Sequence, residues 1–238
     1  MRFFLGGRVL GAVLFACLWN AQLALAQTFP SRPIQVVTTT AGGGADMLAR
    51  TAAQGLTEGL GQPAVVINAG SQSIPMTTVA KANPDGHTLL SIGGSTFWLY
   101  PFLEENSPYD PVKDFSPVTL TASSPNVVVV HPSVPANNIK ELIALAKSKP
   151  GALNYGTAGV GASPWLAGEL FKSMSGTNIV TVRYKGVGPA LTDTLAGRIQ
   201  IMFQTVGSAM PHVKAGKLRA LAVTSARPSE LAPGLPTV

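Results

Sequence analysis

The residues best placed to do chemistry lie in the stretch Ile34 to Arg50, IQVVTTTAGGGADMLAR. A β-branched run ends in three threonines, passes through Gly42, Gly43 and Gly44, and enters an apolar-periodic segment with Asp46 at its start. That order predicts strand, bare-backbone turn and helix N-terminus. Glycines leave main-chain N–H groups uncovered, and the helix aims its partial positive charge at whatever sits in the turn, so an anion fits there. Leu153 to Phe171, LNYGTAGVGASPWLAGELF, repeats the layout: a short strand, Gly156, Gly159 and Gly161, Ser163 placed to cap, and a helix started at Pro164. Two such turns in separate parts of the chain predict two lobes facing one small acidic ligand.

The chain has 238 residues, 46% of them hydrophobic and 12% charged, which suits a folded protein of one or two domains and excludes a disordered chain. The 17 basic and 11 acidic residues give a formal charge of +6. The basic residues are scattered, with no dense run and no interleaved aromatics, so no nucleic-acid partner is expected. Residues 1–26 carry Arg2 and Arg8, an apolar run from Val9 to Trp19, and Ala24-Leu25-Ala26 before Gln27. This is the layout of a signal peptide cleaved for export, too short and interrupted to span a membrane. Cys17, the one cysteine, follows Leu14-Phe15-Ala16 and has an alternative reading as a lipid attachment site. After cleavage no cysteine remains, which excludes a thiol enzyme.

Past the extended lead-in around Pro30 and Pro33, strands and helices alternate. Strands are expected at residues 34–40, 64–68, 88–92, 118–122, 127–131, 153–155, 179–183, 199–203 and 218–224. Helices are expected at 45–60, up to 80, 139–147, 164–174, 188–196 and 207–214. The alternation predicts an α/β fold with parallel sheets, and the polar, glycine-rich turns fall on the carboxyl ends of strands, where open α/β sheets bind ligands. The region 101–117 is proline-rich and charged and is expected on the outer surface of the first lobe.

No enzyme constellation is present: there is no G-x-S-x-G elbow, no phosphate loop and no H-E-x-x-H. His87, His131 and His212 share no metal-ligand spacing, so no metal and no cofactor are expected. Asp46 is either a helix cap or first-turn acid, or a ligand contact. Tyr184 is either a core aromatic or a wall of the cleft. Trp165 is a stacking surface or an apolar anchor between lobes, and Lys185 a solvated loop cation or a clamp.

The pieces Pro30-Ser31-Arg32-Pro33-Ile34, Gly43-Gly44-Ala45-Asp46, Ala80-Lys81-Ala82-Asn83-Pro84-Asp85-Gly86-His87, Tyr109-Asp110-Pro111-Val112-Lys113-Asp114-Phe115, Tyr184-Lys185-Gly186 and Ala215-Gly216-Lys217-Leu218-Arg219-Ala220-Leu221 occur in order. Together they resemble the Bug family, the periplasmic solute-binding proteins of tripartite tricarboxylate transporters, over about residues 28–238. The resemblance implies a type II periplasmic binding protein: two α/β lobes with a cleft between them, binding a small carboxylate or related metabolite and delivering it to a membrane permease. It implies a periplasmic, monomeric protein that is not an enzyme. Its domains would be the signal peptide 1–26, a first lobe 27–122, a second lobe 123–225 and a linker 226–238 returning toward the first lobe. The family pattern continues past the position of Val238, so the resemblance implies a product truncated at its C-terminus, with the last part of the first lobe missing.

The ligand site implied comprises Ala41, Gly43, Gly44, Asp46, Ser95 and Thr96 from the first lobe. From the second come Thr157, Ala158, Gly159, Gly161, Ser163, Tyr184 and Gln204. Departures from the family pattern are Thr38-Thr39-Thr40-Ala41 before the first glycines, a shortened Asn68-Ala69-Gly70-Ser71, Trp165, Arg183, and Gln204 at an acidic position. The alternatives to a transport receptor are a non-functional remnant or an orphan binding protein serving a signalling receptor.

Overall fold

A computed structural model describes residues 29–70 and 73–238, so the expected signal peptide and Cys17 lie outside the described residues. Pro33–Val238 form a single unit, and both sheets lie within it.

The first sheet is parallel, in the order β2-β1-β3, with β1 at Ile34–Thr38, β2 at Ala64–Asn68 and β3 at Thr88–Leu90. Helix α1, Gly44–Leu60, lies on one face and buries Ala49 and Ala53 against Ile34 and Val36. It stops at Gly61, whose left-handed backbone (φ 70°) lets its N–H reach the Thr57 carbonyl at 3.1 Å. Helix α2, Ile74–Ala80, packs near β1 and β3. Helix α3, Gly94–Leu103, follows β3 directly. No helix is expected here from the sequence, because Pro101 and four aromatic residues make a poor helical signal. Tertiary contacts hold it: Phe97 stacks on Tyr109 and meets Phe115 edge-on, and the Tyr109 hydroxyl donates to the Phe97 carbonyl at 2.9 Å.

The second sheet has the order β6-β5-β7-β4-β8, from β4 Asn126–Val130, β5 Asn154–Thr157, β6 Val180–Arg183, β7 Ile201–Thr205 and β8 Arg219–Val223. It is mixed, not parallel throughout. β5 runs parallel to β6 and β7, whereas β4 runs antiparallel to β7 and β8, so the chain enters this sheet at the edge where the other strands end. All five residues of β4, NVVVV, are buried, as expected of a strand covered on both faces. On one face α4 (Ile139–Ser148) and α5 (Ser163–Ser175) pack Leu142 and Phe171 against Val128, Tyr155 and Phe203. On the other, α6 (Val187–Leu195) and α7 (Val206–Lys214) pack Ala190, Leu191 and Ala209 against Val127, Val129 and Met202.

One further expectation differs from the structure. Residues 118–122 form no strand; Val118 and Leu120 are 81% and 83% exposed, since a β-branched run without a neighbouring strand has no ladder to join. The tail packs along β8: Val223 N–H donates to the Pro236 carbonyl, Val238 N–H donates to the Val223 carbonyl, and Ala232 and Leu235 join the core beneath.

Candidate functional site

The turn after β1 is built around Asp46. Gly43 is the N-cap of α1 and offers no side chain, so Asp46 is a first-turn acid rather than the cap. Its carboxylate is turned back into the loop and is buried. Oδ2 accepts from the Gly42 N–H at 3.1 Å and from Arg50 Nε at 3.2 Å. Oδ1 accepts from Asn68 Nδ2 at 2.8 Å and lies 3.1 Å from Arg50 Nη2. Asn68 Nδ2 also donates to the Thr39 carbonyl at 2.8 Å, which ties the end of β2 to the turn. Burial pushes the Asp46 carboxyl up, but Asn68, the Gly42 amide and Arg50 together outweigh it and hold the carboxyl below its ordinary value of 3.8.

Asp46→Ala therefore removes the acceptor for three groups, and a loss of about 1–2 kcal/mol is expected by chemical denaturation. The folded carboxyl titrates below the unfolded one. Its contribution is thus complete above about pH 5 and is lost as pH falls through the folded value. The gap between wild type and variant should be flat near neutrality and shrink below about pH 4; a gap that persists there would show that the charge is not what matters.

Gly42, with φ 86°, takes a backbone that L side chains rarely adopt, and this turns the chain from β1 into α1. The second sheet meets this turn at close range. A Cβ built on Gly188 would stand 2.5 Å from the Ala41 carbonyl oxygen, and one on Gly186 would overlap the Thr40 hydroxyl. A Cβ on Gly44 would stand 2.5 Å from Thr205 Oγ1. The N-termini of α1 and α6 and the start of α7 are thus brought together because the contact points lack side chains.

A cavity of about 1500 Å³ opens between the sheets. Its wall includes Leu48, Ala52 and Leu56 of α1. Of the expected site residues, Gly43, Gly44, Ser95, Thr96, Ala158, Gly159, Ser163 and Gln204 line it. Ala41, Asp46, Thr157, Gly161 and Tyr184 are not on its wall. Ala41 faces Gly188, and Gly161 faces Leu103 and Tyr100. Thr157 is buried at the end of β5, its hydroxyl without a partner, as is that of Thr38 at the end of β1. Tyr184 packs into the core under α6, donating to Asp193 at 2.7 Å. Burial first, then Asp193, pushes its phenol up to about 12.

Five helices of nine or more residues start at this cavity: α1, α3, α5, α6 and α7, whose N-caps are Gly43, Gly93, Ala162, Gly186 and Thr205. None of these N-caps accepts a hydrogen bond from a backbone N–H of its helix through its side chain; the Thr205 hydroxyl turns instead to the Ser208 hydroxyl at 2.9 Å. Ser163, expected to cap α5, is the first helical residue, after Ala162. By contrast α4 starts away from the cavity and is capped in the ordinary way, Asn138 Oδ1 accepting from the Glu141 N–H at 2.9 Å. Among the described residues lining the cavity the one basic side chain is Lys113, which pairs with Asp110 at 3.3 Å, and the one acid is Asp114. Positive potential at this site comes from main-chain N–H groups and helix dipoles. Thr205, a single polar residue without a motif around it, is not among the expected site residues, and neither is Asn68, which stands out in sequence only as the first residue of the shortened stretch Asn68-Ala69-Gly70-Ser71.

Among the described residues no cluster of three His, Asp, Glu or Cys could hold a metal, and no helix is long and apolar enough to cross a membrane.

The family model for the tripartite tricarboxylate transporter family receptor matches residues 48–238. A UPF0065 protein of Bordetella pertussis is 39% identical over 211 residues, 87% of this chain and 65% of its own length. Protein BugT of Bordetella pertussis is 36% identical over 217 residues, 90% of this chain and 67% of its own. The chain thus spans about two thirds of the length of these relatives. Among solved structures, a periplasmic transporter superposes with a TM-score of 0.84 at 40% identity, covering 88% of this chain and 71% of the other. An R. palustris protein solved with adipate superposes with a TM-score of 0.80 at 35% identity, with the same coverage of 88% and 71%. The periplasmic binding protein BugD gives 0.79 at 32%, again covering 88% and 71%. These neighbours share the α/β architecture of type II periplasmic binding proteins, and the family is one of solute receptors, not of enzymes. This chain belongs to the tripartite tricarboxylate transporter receptor family.

Proposed function

We propose that the chain is a periplasmic receptor for a small carboxylate, exported by a leader cleaved after Ala26 and delivering its ligand, as a monomer, to the permease of a tripartite transporter. The observation that carries this reading is the convergence of five uncapped helix N-termini on one cavity whose lone basic lining residue is already paired. Each N-terminus offers unpaired N–H donors and favours a nearby anion by about 0.3–1 kcal/mol, so the set supplies a few kcal/mol without a side-chain charge. Hydroxyls of Thr96, Ser95 and Ser163 add neutral donors along the wall. The adipate- and malate-bound R. palustris relatives support a carboxylate as the class of ligand.

The assembly of the site from both sheets fits a protein that closes on its ligand. Isothermal titration of the purified chain against di- and tricarboxylates is the test. Saturable heat with at least one of them, absent with chloride and with uncharged diamide analogues, is the expected result. No heat with any acid would refute the reading.

A further inference from the structure

Gln204 is the most deeply buried polar residue on the cavity wall. It stands next to last in β7, on the face of the sheet shared with Met202, where α6 and α7 begin. Only 1% of its surface is accessible, yet it lines the cavity. Its two amide atoms are unequally served. Oε1 accepts from Ser208 Oγ at 3.0 Å, and Ser208 in turn lies 2.9 Å from Thr205 Oγ1, the hydroxyl packed against Gly44 at the start of α1. The only partner of Nε2 is the Met202 sulfur at 3.5 Å. A thioether is a weak acceptor, but it is an acceptor, and this assigns the NH₂ to that side and the C=O to Ser208. The amide therefore keeps an N–H donor without a good partner in a place water scarcely reaches, at a cost a ligand oxygen would relieve.

Among the described lining residues the one acid is Asp114, whose Oδ2 accepts the Asp110 N–H at 2.8 Å, and no carboxylate partners Gln204 or Ser208. An ammonium brought to Gln204 would meet N–H groups of its own sign and the positive ends of α6 and α7.

We propose that Gln204 selects among acids: its carboxamide N–H donates to a second oxygen acceptor on the ligand and excludes acids that carry an ammonium group. The inference rests on the carboxylate reading above and deepens it. The ligand class becomes an acid with an acceptor oxygen at its far end, as in a dicarboxylate or keto acid, and not a zwitterionic amino acid.

Matched pairs differing only by an ammonium test it: succinate against aspartate, and glutarate against glutamate, titrated into the full chain. The wild-type protein is expected to favour the amine-free member of a pair by tenfold or more. Gln204→Glu should shrink or invert that ratio by at least tenfold, more strongly at pH 8 than at pH 5 as the new carboxyl ionises. Gln204→Met, which keeps the volume but donates nothing, should weaken the amine-free acid about three- to tenfold without helping the amino acid. It serves as the readout if the Glu variant fails to fold. A wild-type ratio near one, or a ratio unchanged in a variant that folds, overturns the selector role alone. A wild-type chain that binds no acid, in these pairs or in the wider panel, overturns the carboxylate reading and this inference with it.

Discussion

Gly188→Ala is expected to weaken acid binding at least about a hundredfold, or about 2.7 kcal/mol, while leaving the fold intact. Gly188 is the second residue of α6, where alanine is at least as good a helix former, so the second sheet and its core should not suffer. The damage falls on the meeting of the two sheets. The new Cβ would stand 2.5 Å from the Ala41 carbonyl oxygen and 3.7 Å from Gly42 Cα. Both are backbone atoms of a turn whose shape Asp46 and Asn68 hold, so no rotamer change relieves the overlap. The turn and α6 must separate, and helix N-termini that act together on one anion then no longer face it at bonding distance.

Gly207→Ala is the matched control. Its Cβ would meet the Met47 methyl at 2.6 Å, the far end of a flexible side chain that can swing away. An effect below about threefold is expected there. Titration of both variants with any acid that binds the wild type decides the matter: Gly188→Ala binding as the wild type does would mean that the contact between the turns is not needed to hold the ligand.

That contact marks where sequence reading reached its limit. The Gly42–Gly44 turn was legible because a β-branched run, three glycines and an apolar-periodic segment are local signals, and the same holds for the turn after β5. Gln204 could be singled out from its departure from the family pattern. Its unequally satisfied amide could not, because the partners Met202 and Ser208 are fixed only when β7 and α7 pack. Gly186 ends the Tyr-Lys-Gly segment and Gly188 opens an expected helix; that they face Thr40 and Ala41, more than a hundred residues earlier, is a property of the closed arrangement. Asp46 had two readings, and Asn68 decides for the structural one by supplying a donor from the neighbouring strand. The errors share a cause. Residues 118–122 have strand-like composition but no partner, and α3 has poor helical composition but an aromatic bed formed by Tyr109 and Phe115. Local preference gave way to tertiary context in both directions.

Gly168→Ala is expected to have the largest effect on stability, a loss of about 3 kcal/mol, although it replaces glycine by the best helix former in the middle of α5. Propensity alone would favour the variant by about 1 kcal/mol. Against this, the added Cβ would overlap the Tyr155 ring edge and lie 2.6 Å from Cζ and 2.9 Å from Oη. Tyr155 has nowhere to retreat: it is 1% exposed and meets the Phe203 ring edge-on at 5.8 Å. Its hydroxyl donates to Glu169 Oε1 at 2.6 Å, and Glu169 is itself held by Lys172 and Thr181. Overpacking of a filled core costs about 1–3 kcal/mol, and a displaced ring also loses a hydrogen bond to a charged group, about 1.5–3 kcal/mol more. The sum exceeds the helical gain. In the Tyr155→Leu background, where the ring is gone, the same alanine should cost nothing or stabilise slightly, a coupling of about 3 kcal/mol between the two positions in urea unfolding. Additive effects would place the burden of Gly168 elsewhere than on the tyrosine. A large coupling would show that α5, and with it the Ser163 end that lines the cavity, is seated on β5 through this one missing side chain.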